Sequence, residues 1–405
     1  MPLFGPDGAG PSRALVVATV CLMAATGTAQ GTDPGAPRLR TETEAGSVVW
    51  VEHMPDAKEV VVSLWASSRD VAETPTTHGH RHLMEHLLAR GDGQLDRRLE
   101  TEGITLTAQT FRFAMHFQFR CPPGKEGRAF QEIAGLLKGF EPTKERIEHE
   151  LRIMRHEFAL RDGAEALAAA AWRAAFGQRG LDAWGTLTAM SGATPESLKA
   201  LHRAHFAEPN LALVVAGPVD LDATTAQAVA LLATAPKPGE RLASEPLAGE
   251  ASRVEDEACF GEARAAITQG FARDETHWAL AAALALATEV PRSFVSFVPS
   301  AEPAVVTWGR DDQRHGLGAI ADGLSPNDEA RLFRTGWELG QAWYANQLRS
   351  PAGVAYLRGL YAVQSRGAKP EDSVRRIQAM TFEQFKEGLR AFGKDRGVTV
   401  VGVGR

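Results

Sequence analysis

The sequence predicts an α+β protein of two related domains, each a mainly antiparallel sheet flanked by helices, with a linker between them. Three observations support this prediction. The chain has 405 residues, which is too many for one compact core. Short alternating apolar stretches occur in pairs between helical stretches, an order typical of an antiparallel α+β fold. A sequence pattern for a helix followed by a strand, found in the middle of the chain, is also repeated near the carboxyl end.

This recurrence indicates an internal duplication. The run Thr194–Lys199 resembles Thr381–Lys386, and each run is followed by an apolar strand, Leu211–Gly217 and Val398–Gly404. Four identical residues of the first copy recur 187 positions later. Chance could supply one such match, but several in one register favour two related domains.

The domain boundaries follow from composition. Residues 235–253 contain three prolines and two glycines, which is typical of a linker. The chain then divides into an N-terminal domain at 30–234 and a shortened homologous domain at 254–405. Each part has an ordinary domain size.

The first 29 residues have the pattern of a secretory signal peptide. Arg13 supplies positive charge, and Ala14–Ala25 is an apolar stretch broken only by Thr19. Small residues then precede an expected cleavage site after Ala29. We therefore expect a secreted or periplasmic protein, with no membrane span in the mature chain.

Four stretches of the first domain alternate between apolar and polar residues, or are apolar throughout, and are predicted as strands. We expect the first two to pair directly across a turn at Met54–Lys58, and the last two to form a second hairpin. The predicted strands are Ser47–His53, Glu59–Ala66, Ile104–Thr110 and Ala114–Cys121.

Five stretches have helical periodicity and lie between or after these strands. Gly103 ends the second of them, as a glycine commonly does at a helix carboxyl end. The predicted helices are Thr77–Ala89, Leu95–Glu102, Ala129–Phe140, Lys144–Leu160 and Ala164–Phe176.

Composition argues against nucleic-acid binding and indicates little else about function. The formal net charge is −6, and the lysines and arginines are spread along the chain rather than clustered in a basic patch. After removal of the signal peptide, Cys121 and Cys259 remain. An oxidising compartment permits a disulfide between them, and two buried free thiols are the open alternative.

The most informative motif is the run His82-Leu-Met-Glu-His86 in the first predicted helix. Residues four apart lie on one helix face, so both imidazoles can bind one metal ion. Glu85 lies on the same side, close enough to take a proton from a water at the metal. The H-x-x-E-H pattern is the reverse of the common zinc helix, and it predicts a Zn²⁺-dependent peptidase.

A catalytic zinc ion usually has three protein ligands, so a third must come from elsewhere. The helix at 144–160 offers four carboxylates, Glu145, Glu148, Glu150 and Glu157. Glu150 and Glu157 are seven residues apart and share a face. One of them could bind the metal while the other orients a ligand.

Three motifs in order resemble the pitrilysin/insulinase family of zinc metallopeptidases, which includes the mitochondrial processing peptidases. His82–Gly91 is similar to the zinc motif of that family, Leu99–Thr110 to its edge strand, and Glu150–Glu157 to its Glu-x6-Glu helix. The resemblance covers almost the whole mature chain. It implies the short, two-domain form of the fold.

The resemblance also implies a role for each site residue. Zinc would be bound by His82, His86 and Glu157. Glu85 would be the catalytic base, with Glu150 supporting catalysis beside it. The edge strand would bind an extended peptide substrate by strand addition. The substrate-binding residues would be Thr107, Ala108 and Thr110.

The sequence departs from the family pattern in three places. His86 and Glu157 are 71 residues apart, a few fewer than is usual in the family. Thr107 replaces a common asparagine. In the second domain the family has an arginine and a tyrosine that hold substrate, in a run like Leu-Arg-x-x-x-Gly-Leu-Ala-Tyr. Residues 288–310 offer only Pro291-Arg-Ser-Phe294 in its place, with Arg292 a poor substitute, and contain no tyrosine.

These observations lead to one expected function and two alternatives. We expect a zinc metalloendopeptidase that cleaves peptides or unfolded segments outside the cytoplasm. The missing segment favours a zinc-carrying subunit that pairs with a homologous chain, as a homodimer or a heterodimer. The alternatives are an endopeptidase active alone, and a non-proteolytic binding or assembly protein with the same fold.

Other residues near the motifs are expected to have structural roles. His78 and His80 are predicted as solvated turn residues, and His156 as a surface residue. Three tryptophans are predicted as core aromatics, at Trp65, Trp172 and Trp184.

Overall fold

A computed structural model describes residues 38–68, 73–91, 93–159, 177–237, 325–364 and 369–387, and a few residues between 166 and 174. It also describes the backbone of 252–256, 260–266 and 397–403. The expected signal peptide, most of the linker, Cys259 and the segment 288–310 lie outside the described residues.

A six-stranded mixed sheet forms the centre of the first part of the chain. Its spatial order is β1-β2-β6-β3-β5-β4, with one parallel pair, β2 and β6, and four antiparallel pairs. The α+β class and the mainly antiparallel sheet are therefore confirmed. The strands are β1 (Arg38–Glu42), β2 (Val48–His53), β3 (Val60–Ser67), β4 (Thr105–Thr110), β5 (Ala114–Cys121) and β6 (Leu211–Gly217).

The helices that follow these strands pack mainly on one face of the sheet. They agree with the predicted helices to within a few residues, apart from the stretch at 164–176, of which only a few residues are described. The helices are α1 (His80–Arg90), α2 (Leu95–Thr101), α3 (Glu126–Lys138), α4 (Lys144–Ala159), the short α5 (Leu187–Met190), α6 (Pro195–His205) and α7 (Leu221–Leu232).

The predicted direct pairing of β2 with β3 is wrong, because β6 lies between them. All seven residues of β6 are buried, so this strand needs a hydrogen-bonded neighbour on each side. The turn at Met54–Lys58 must therefore cross over the end of β6. Gly217 permits this crossing: its φ is 147°, and a Cβ there would lie 2.8 Å from the Glu59 carbonyl oxygen.

The main hydrophobic core lies between the sheet and helices α1, α3 and α4. From α1, Leu83, Met84 and Leu87 are buried in it, and Phe117 of β5 faces them from the sheet. The apolar side of α1 is thereby committed to the core. Its polar side, with the two histidines and Glu85, is left facing α4 and β4.

The opposite face of the sheet is covered by helices from the second part of the chain. Helix α9 lies across β3 and β6, with Leu360 packed beside Trp65 and Ala355 beside Trp50. The first sheet is therefore buried on both faces, and its second cover comes from more than 100 residues downstream. The helices here are α8 (Pro326–Gln347), α9 (Pro351–Gln364), α10 (Pro370–Ala379) and α11 (382–387).

A second sheet has three described strands in the order β7-β9-β8. The β7–β9 pair is parallel and the β9–β8 pair is antiparallel. The central strands β2, β6 and β3 of the first sheet show the same order and the same directions. This agreement supports the predicted duplication. The strands are β7 (Ser252–Asp256), β8 (Phe260–Ala266) and β9 (Gly397–Val403).

Among the described residues, no helix combines the length and apolar character that crossing a bilayer would require. Cys121 is buried on β5, where its thiol donates a hydrogen bond to the Val60 carbonyl at 3.3 Å. Burial raises the pKa of this thiol to about 12. A thiol in that state is a packing group rather than a nucleophile.

Candidate metal centre

Helix α1 is held at both ends by side chains from other elements. It begins at His80 rather than at the predicted Thr77, because Gly79 has a left-handed φ of 97°. The Glu73 carboxylate accepts hydrogen bonds from the Gly79 and Arg81 amides, each at 3.0 Å. At the other end, Arg146 of α4 donates to the Leu87 carbonyl at 3.0 Å. An acid at the amino end and a base at the carboxyl end both match the helix dipole.

His82 and His86 of α1 converge with Glu157 of α4. One ligand atom from each residue lies within 4.8 Å of the other two. The Nε2 atom of His86 is 3.3 Å from the Glu157 carboxylate, and that of His82 is 3.9 Å from it. Both imidazoles are buried, whereas the Glu157 side chain is 38% exposed. The group therefore opens toward solvent on the Glu157 side.

The three donors fit a Zn²⁺ ion. Ligands about 2.0–2.1 Å from a tetrahedral zinc are themselves about 3.3 Å apart, close to the separations found here. Each histidine also has its Nδ1 atom engaged elsewhere, which leaves Nε2 for a metal. The Nδ1 of His82 lies 3.2 Å from the Trp184 carbonyl, and that of His86 lies 3.3 Å from Glu150. Outer partners of this kind set the tautomer and orientation of a metal-binding histidine.

The ionisation of the group also favours a cation. Burial lowers the pKa of His82. Burial acts in the same direction on His86, but its hydrogen bonds to Glu150 and Glu157 outweigh burial and raise its pKa to about 10. Burial alone would raise the pKa of Glu157, yet the adjacent His86 lowers it. The carboxylates of Glu150 and Glu157 therefore stabilise a positive charge beside them, which is either a proton on His86 or a metal ion.

Glu85 projects from α1 toward the end of β4. Its Oε2 atom accepts a hydrogen bond from the Thr110 hydroxyl at 2.9 Å. Glu85 is 9% exposed and lies next to His86 in sequence. The carboxylate is thereby held beside the metal-binding group and at the edge of the sheet.

Strand β4 forms one edge of the six-stranded sheet. The Phe111 amide donates to the Ala114 carbonyl at 2.7 Å, so odd-numbered residues of β4 are bonded to β5. The amides and carbonyls of Ala108 and Thr110 then point away from β5, toward an edge that no described strand covers. The side chains of these two residues face the helices, whereas Thr107 is exposed on the opposite face.

The structure brings the side chains of Glu85, Glu150 and Thr110 next to the group formed by His82, His86 and Glu157, and the roles assigned to these residues stay predictions. Glu145 and Glu148 were also possible third ligands from the sequence. Both are exposed on α4 and lie outside the group of His82, His86 and Glu157.

Two histidines predicted as solvated turn residues are instead buried. His78 lies 3.2 Å from the Asp182 carboxylate, and His80 lies 3.1 Å from the Ala189 carbonyl. They bind the segment 182–190 to the start of α1, where Gly79 and Gly185 are in backbone contact. The prediction failed because these partners lie more than 100 residues downstream. His156 is exposed, as predicted.

Of the three predicted core tryptophans, only Trp65 is fully buried. Trp172 is half-buried under the Arg112 guanidinium, at 4.2 Å. Trp184 is half-buried beside the candidate site: its ring meets His82 edge-on at 5.7 Å, and Phe158 packs on it at the same distance. Nothing in the local pattern around Trp184 indicated this position.

Comparison with known proteins gives a clear result at the level of fold. No family profile and no curated protein matches the sequence. Among solved structures, a protease from Helicobacter pylori matches with a TM-score of 0.73 and 12% identity, over 90% of this chain and 99% of that one.

Two further structures are similar. A putative M16-like peptidase from Alicyclobacillus acidocaldarius matches with a TM-score of 0.70 and 15% identity, over 93% of this chain and 100% of that one. A peptidase M16 inactive domain from Pseudomonas fluorescens matches with a TM-score of 0.66 and 17% identity, over 90% and 97%. M16 is the peptidase family of pitrilysin. The chain therefore has the fold of the M16-like peptidases, as the three sequence motifs led us to expect.

Proposed function

We propose that the protein is a zinc-dependent endopeptidase that cleaves peptides or unfolded segments outside the cytoplasm. The observation that carries this proposal is the convergence of His82, His86 and Glu157, with Glu85 beside them. The M16-like fold supports a peptidase. The apolar amino-terminal stretch and its small residues support a location in the periplasm or outside the cell.

The metal would be held by the two Nε2 atoms and the Glu157 carboxylate. A bound Zn²⁺ lowers the pKa of its water and polarises a carbonyl, which is the chemistry needed for peptide hydrolysis. Glu150 keeps the His86 ring in place through Nδ1, and the Trp184 carbonyl does the same for His82. Glu150 thus contributes to catalysis by orienting a ligand.

Glu85 would be the general base. Its hydrogen bond from Thr110 holds one carboxylate oxygen and leaves the other to accept a proton from the attacking water. The protonated Glu85 would then deliver that proton to the leaving amine. Its low exposure strengthens these interactions, since little solvent competes for the carboxylate.

The substrate would lie in extended form along β4. The outward-pointing backbone groups of Ala108 and Thr110 would bond to the substrate backbone, as in other cases of strand addition. Thr107 would contribute from the exposed face through its side chain. Backbone pairing of this kind recognises an extended chain with loose side-chain preference.

The chain is proposed to act with a homologous partner, as a homodimer or a heterodimer. The sequence at 288–310 has no tyrosine and no run like the arginine- and tyrosine-containing run that the family resemblance leads us to expect. A partner chain would supply those substrate-holding residues. Comparing the activity of the purified chain with and without a co-expressed homologue separates this arrangement from an enzyme that acts alone.

A non-proteolytic binding or assembly role is the second candidate, because one similar structure is described as an inactive domain. The full ligand set and the base are present in this chain, which favours the enzyme. Metal content separates the two functions, since a binding protein has no need of zinc.

The decisive test combines metal analysis with a broad peptide-cleavage screen on the mature protein and its Glu85→Gln variant. We expect one zinc ion in both proteins. Cleavage by the variant should fall by at least about a thousandfold, because the base is lost while the ligands remain. Normal cleavage by Glu85→Gln would show that the base is another group.

A further inference from the structure

Arg81 lies in helix α1, one position before the first metal-binding histidine, and has more polar contacts than its neighbours. Its guanidinium donates to the Ser68 hydroxyl at 2.5 Å, the Phe111 carbonyl at 3.0 Å and the Arg112 carbonyl at 3.1 Å. Its Nε atom is 3.2 Å from the Glu73 carboxylate. The side chain is only 4% exposed.

These contacts join α1 to the end of β4. Phe111 and Arg112 directly follow Thr110, the residue whose hydroxyl bonds to Glu85. Arg81 and Glu85 are four residues apart on one helix and project toward the same strand end. One turn of α1 therefore holds the backbone of the β4–β5 turn, and the next turn presents the candidate base to the last residue of β4.

A stabilising role alone would require only the ion pair with Glu73. The two carbonyl bonds do more, because they set the position of α1 along the direction of β4. The guanidinium is a planar fork, and it satisfies both carbonyls only when helix and strand are in this register. Lysine could keep the charge pair but could not reproduce the fork.

We propose that Arg81 is a positioning residue for the peptidase reaction. It sets the register of α1 against β4, so that Glu85 stays bonded to Thr110 and beside the open sheet edge. This inference rests on the proposed function, because that edge is where the substrate would lie. Arg81 touches neither substrate nor metal and acts only through Glu85.

The register matters because Glu85 must reach both the attacking water and the leaving amine. A displacement of about 1 Å at a reacting group can lower a rate by about a hundredfold. Binding of an extended substrate depends on the β4 edge itself, which Arg81 does not form. Loss of the fork should therefore lower kcat more than it raises KM.

The test compares Arg81→Lys with wild type in kcat, KM and zinc content. We expect kcat to fall about a hundredfold, KM to change less than about threefold, and one zinc ion to remain bound. A normal kcat in a folded, zinc-loaded Arg81→Lys protein would overturn the inference and leave the proposed function intact. A wild-type protein without peptidase activity would overturn both.

Arg358→Lys is the matched control. Arg358 is also a buried arginine that binds carboxylates, but it lies on the opposite face of the sheet, against Glu52. Both variants should lower the melting temperature, and only Arg81→Lys should lower kcat below that temperature. Equal losses of kcat in the two variants would mean that Arg81 acts through stability alone.

Thr110→Val tests the same register if Arg81→Lys fails to fold. Valine is β-branched like threonine and is favoured in strands, and Thr110 is half-buried, so this variant should fold. We expect a fall in kcat of about tenfold or more with zinc retained. In the double variant of Arg81→Lys and Thr110→Val, the fold-loss of kcat should be smaller than the product of the two single losses, because both substitutions disturb the same contact between Glu85 and Thr110. An unchanged kcat in Thr110→Val, or fully multiplicative losses, would overturn the inference.

Discussion

The two faces of the six-stranded sheet both bury charged side chains, but they balance the charge differently. On the face covered by α9, the Arg358 guanidinium lies between Glu52 and Glu371, and Arg38 also binds Glu371. Two arginines there match two carboxylates. Arg358 is 2% exposed and its guanidinium also stacks over the Trp50 ring at 4.3 Å. This cluster contains its own cations.

On the face covered by α1 and α4, the carboxylates outnumber the cations. Glu85, Glu150 and Glu157 lie around two histidines, and the Arg90 guanidinium lies 3.5 Å from Glu150. A divalent cation would balance the remaining charge. The comparison shows how one sheet can support a closed ion-pair cluster on one face and an open candidate metal centre on the other.

Glu157→Ala should have the largest effect on the difference between the two faces, because it removes one of the three proposed metal ligands. We expect zinc affinity to fall on the order of a thousandfold, equivalent to about 4 kcal/mol, which exceeds the 10- to 100-fold loss typical of an outer partner. Competition with a chelator measures the affinity. Unchanged metal content would move the third ligand to Glu150 or elsewhere. His82→Ala is the companion variant and should also lose zinc.

Arg358→Met should have the next largest effect, and on stability rather than on the site. It leaves Glu52 buried without its cation, a change that typically costs about 3–5 kcal/mol. Denaturant unfolding measures the loss. Zinc affinity should stay at the wild-type value, since this cluster lies on the other face of the sheet. A parallel loss of zinc would mean that the two faces are coupled.

Glu150→Gln sharpens the distinction between a ligand and its support. The amide keeps the shape but loses the charge that orients His86, so zinc affinity should fall about 10- to 100-fold. Glu148→Gln is the control, because Glu148 lies on the same helix but is exposed. A loss as large as that of Glu157→Ala would argue that Glu150 is itself a ligand.

Glu371→Gln should give the smallest effect, and it tests the closed cluster by pH. Burial would raise the pKa of Glu371, but its hydrogen bonds from Arg358 lower it below the ordinary 4.5. The carboxylate therefore stabilises the fold above pH 4.5 and loses that contribution as the pH falls through its lowered pKa. The expected contribution is a few tenths to about 1 kcal/mol, since the group is partly exposed.

Unfolding free energies measured at neutral pH and below pH 4 provide the check. The wild type should lose more stability on acidification than Glu371→Gln does. An identical pH dependence in the two proteins would show that Arg358 is balanced mainly by Glu52.

Short-range sequence patterns were sufficient to predict where much of the candidate site lies. The spacing of His82, Glu85 and His86 places them on one side of a helix, and Leu83 and Leu87 commit the other side to the core. Helical geometry alone determines this, because residues three and four apart always share a face. The predicted strands, and the predicted helices apart from 164–176, were located to within a few residues for the same reason, whereas β1, α5 and α7 were not predicted.

The choice of Glu157 over Glu145 and Glu148 needed more than spacing. The local pattern offered several carboxylates, and the family resemblance selected among them. The structure then brought Glu157 to His86 because α4 packs along α1, a contact that no pattern within α4 encodes.

Only the tertiary structure decided the strand order, the burial of His78 and His80, the place of Trp184 beside His82, and the cover of the sheet by α9. The links of Arg81 to the β4–β5 turn also belong to this group. Each depends on a contact between distant parts of the chain, and the free energy of such a contact depends on how the intervening elements pack. The periodicity of a helix or strand is a property of neighbouring residues, and so the sequence by itself determined most of these elements and the face of α1 that carries the two histidines and Glu85.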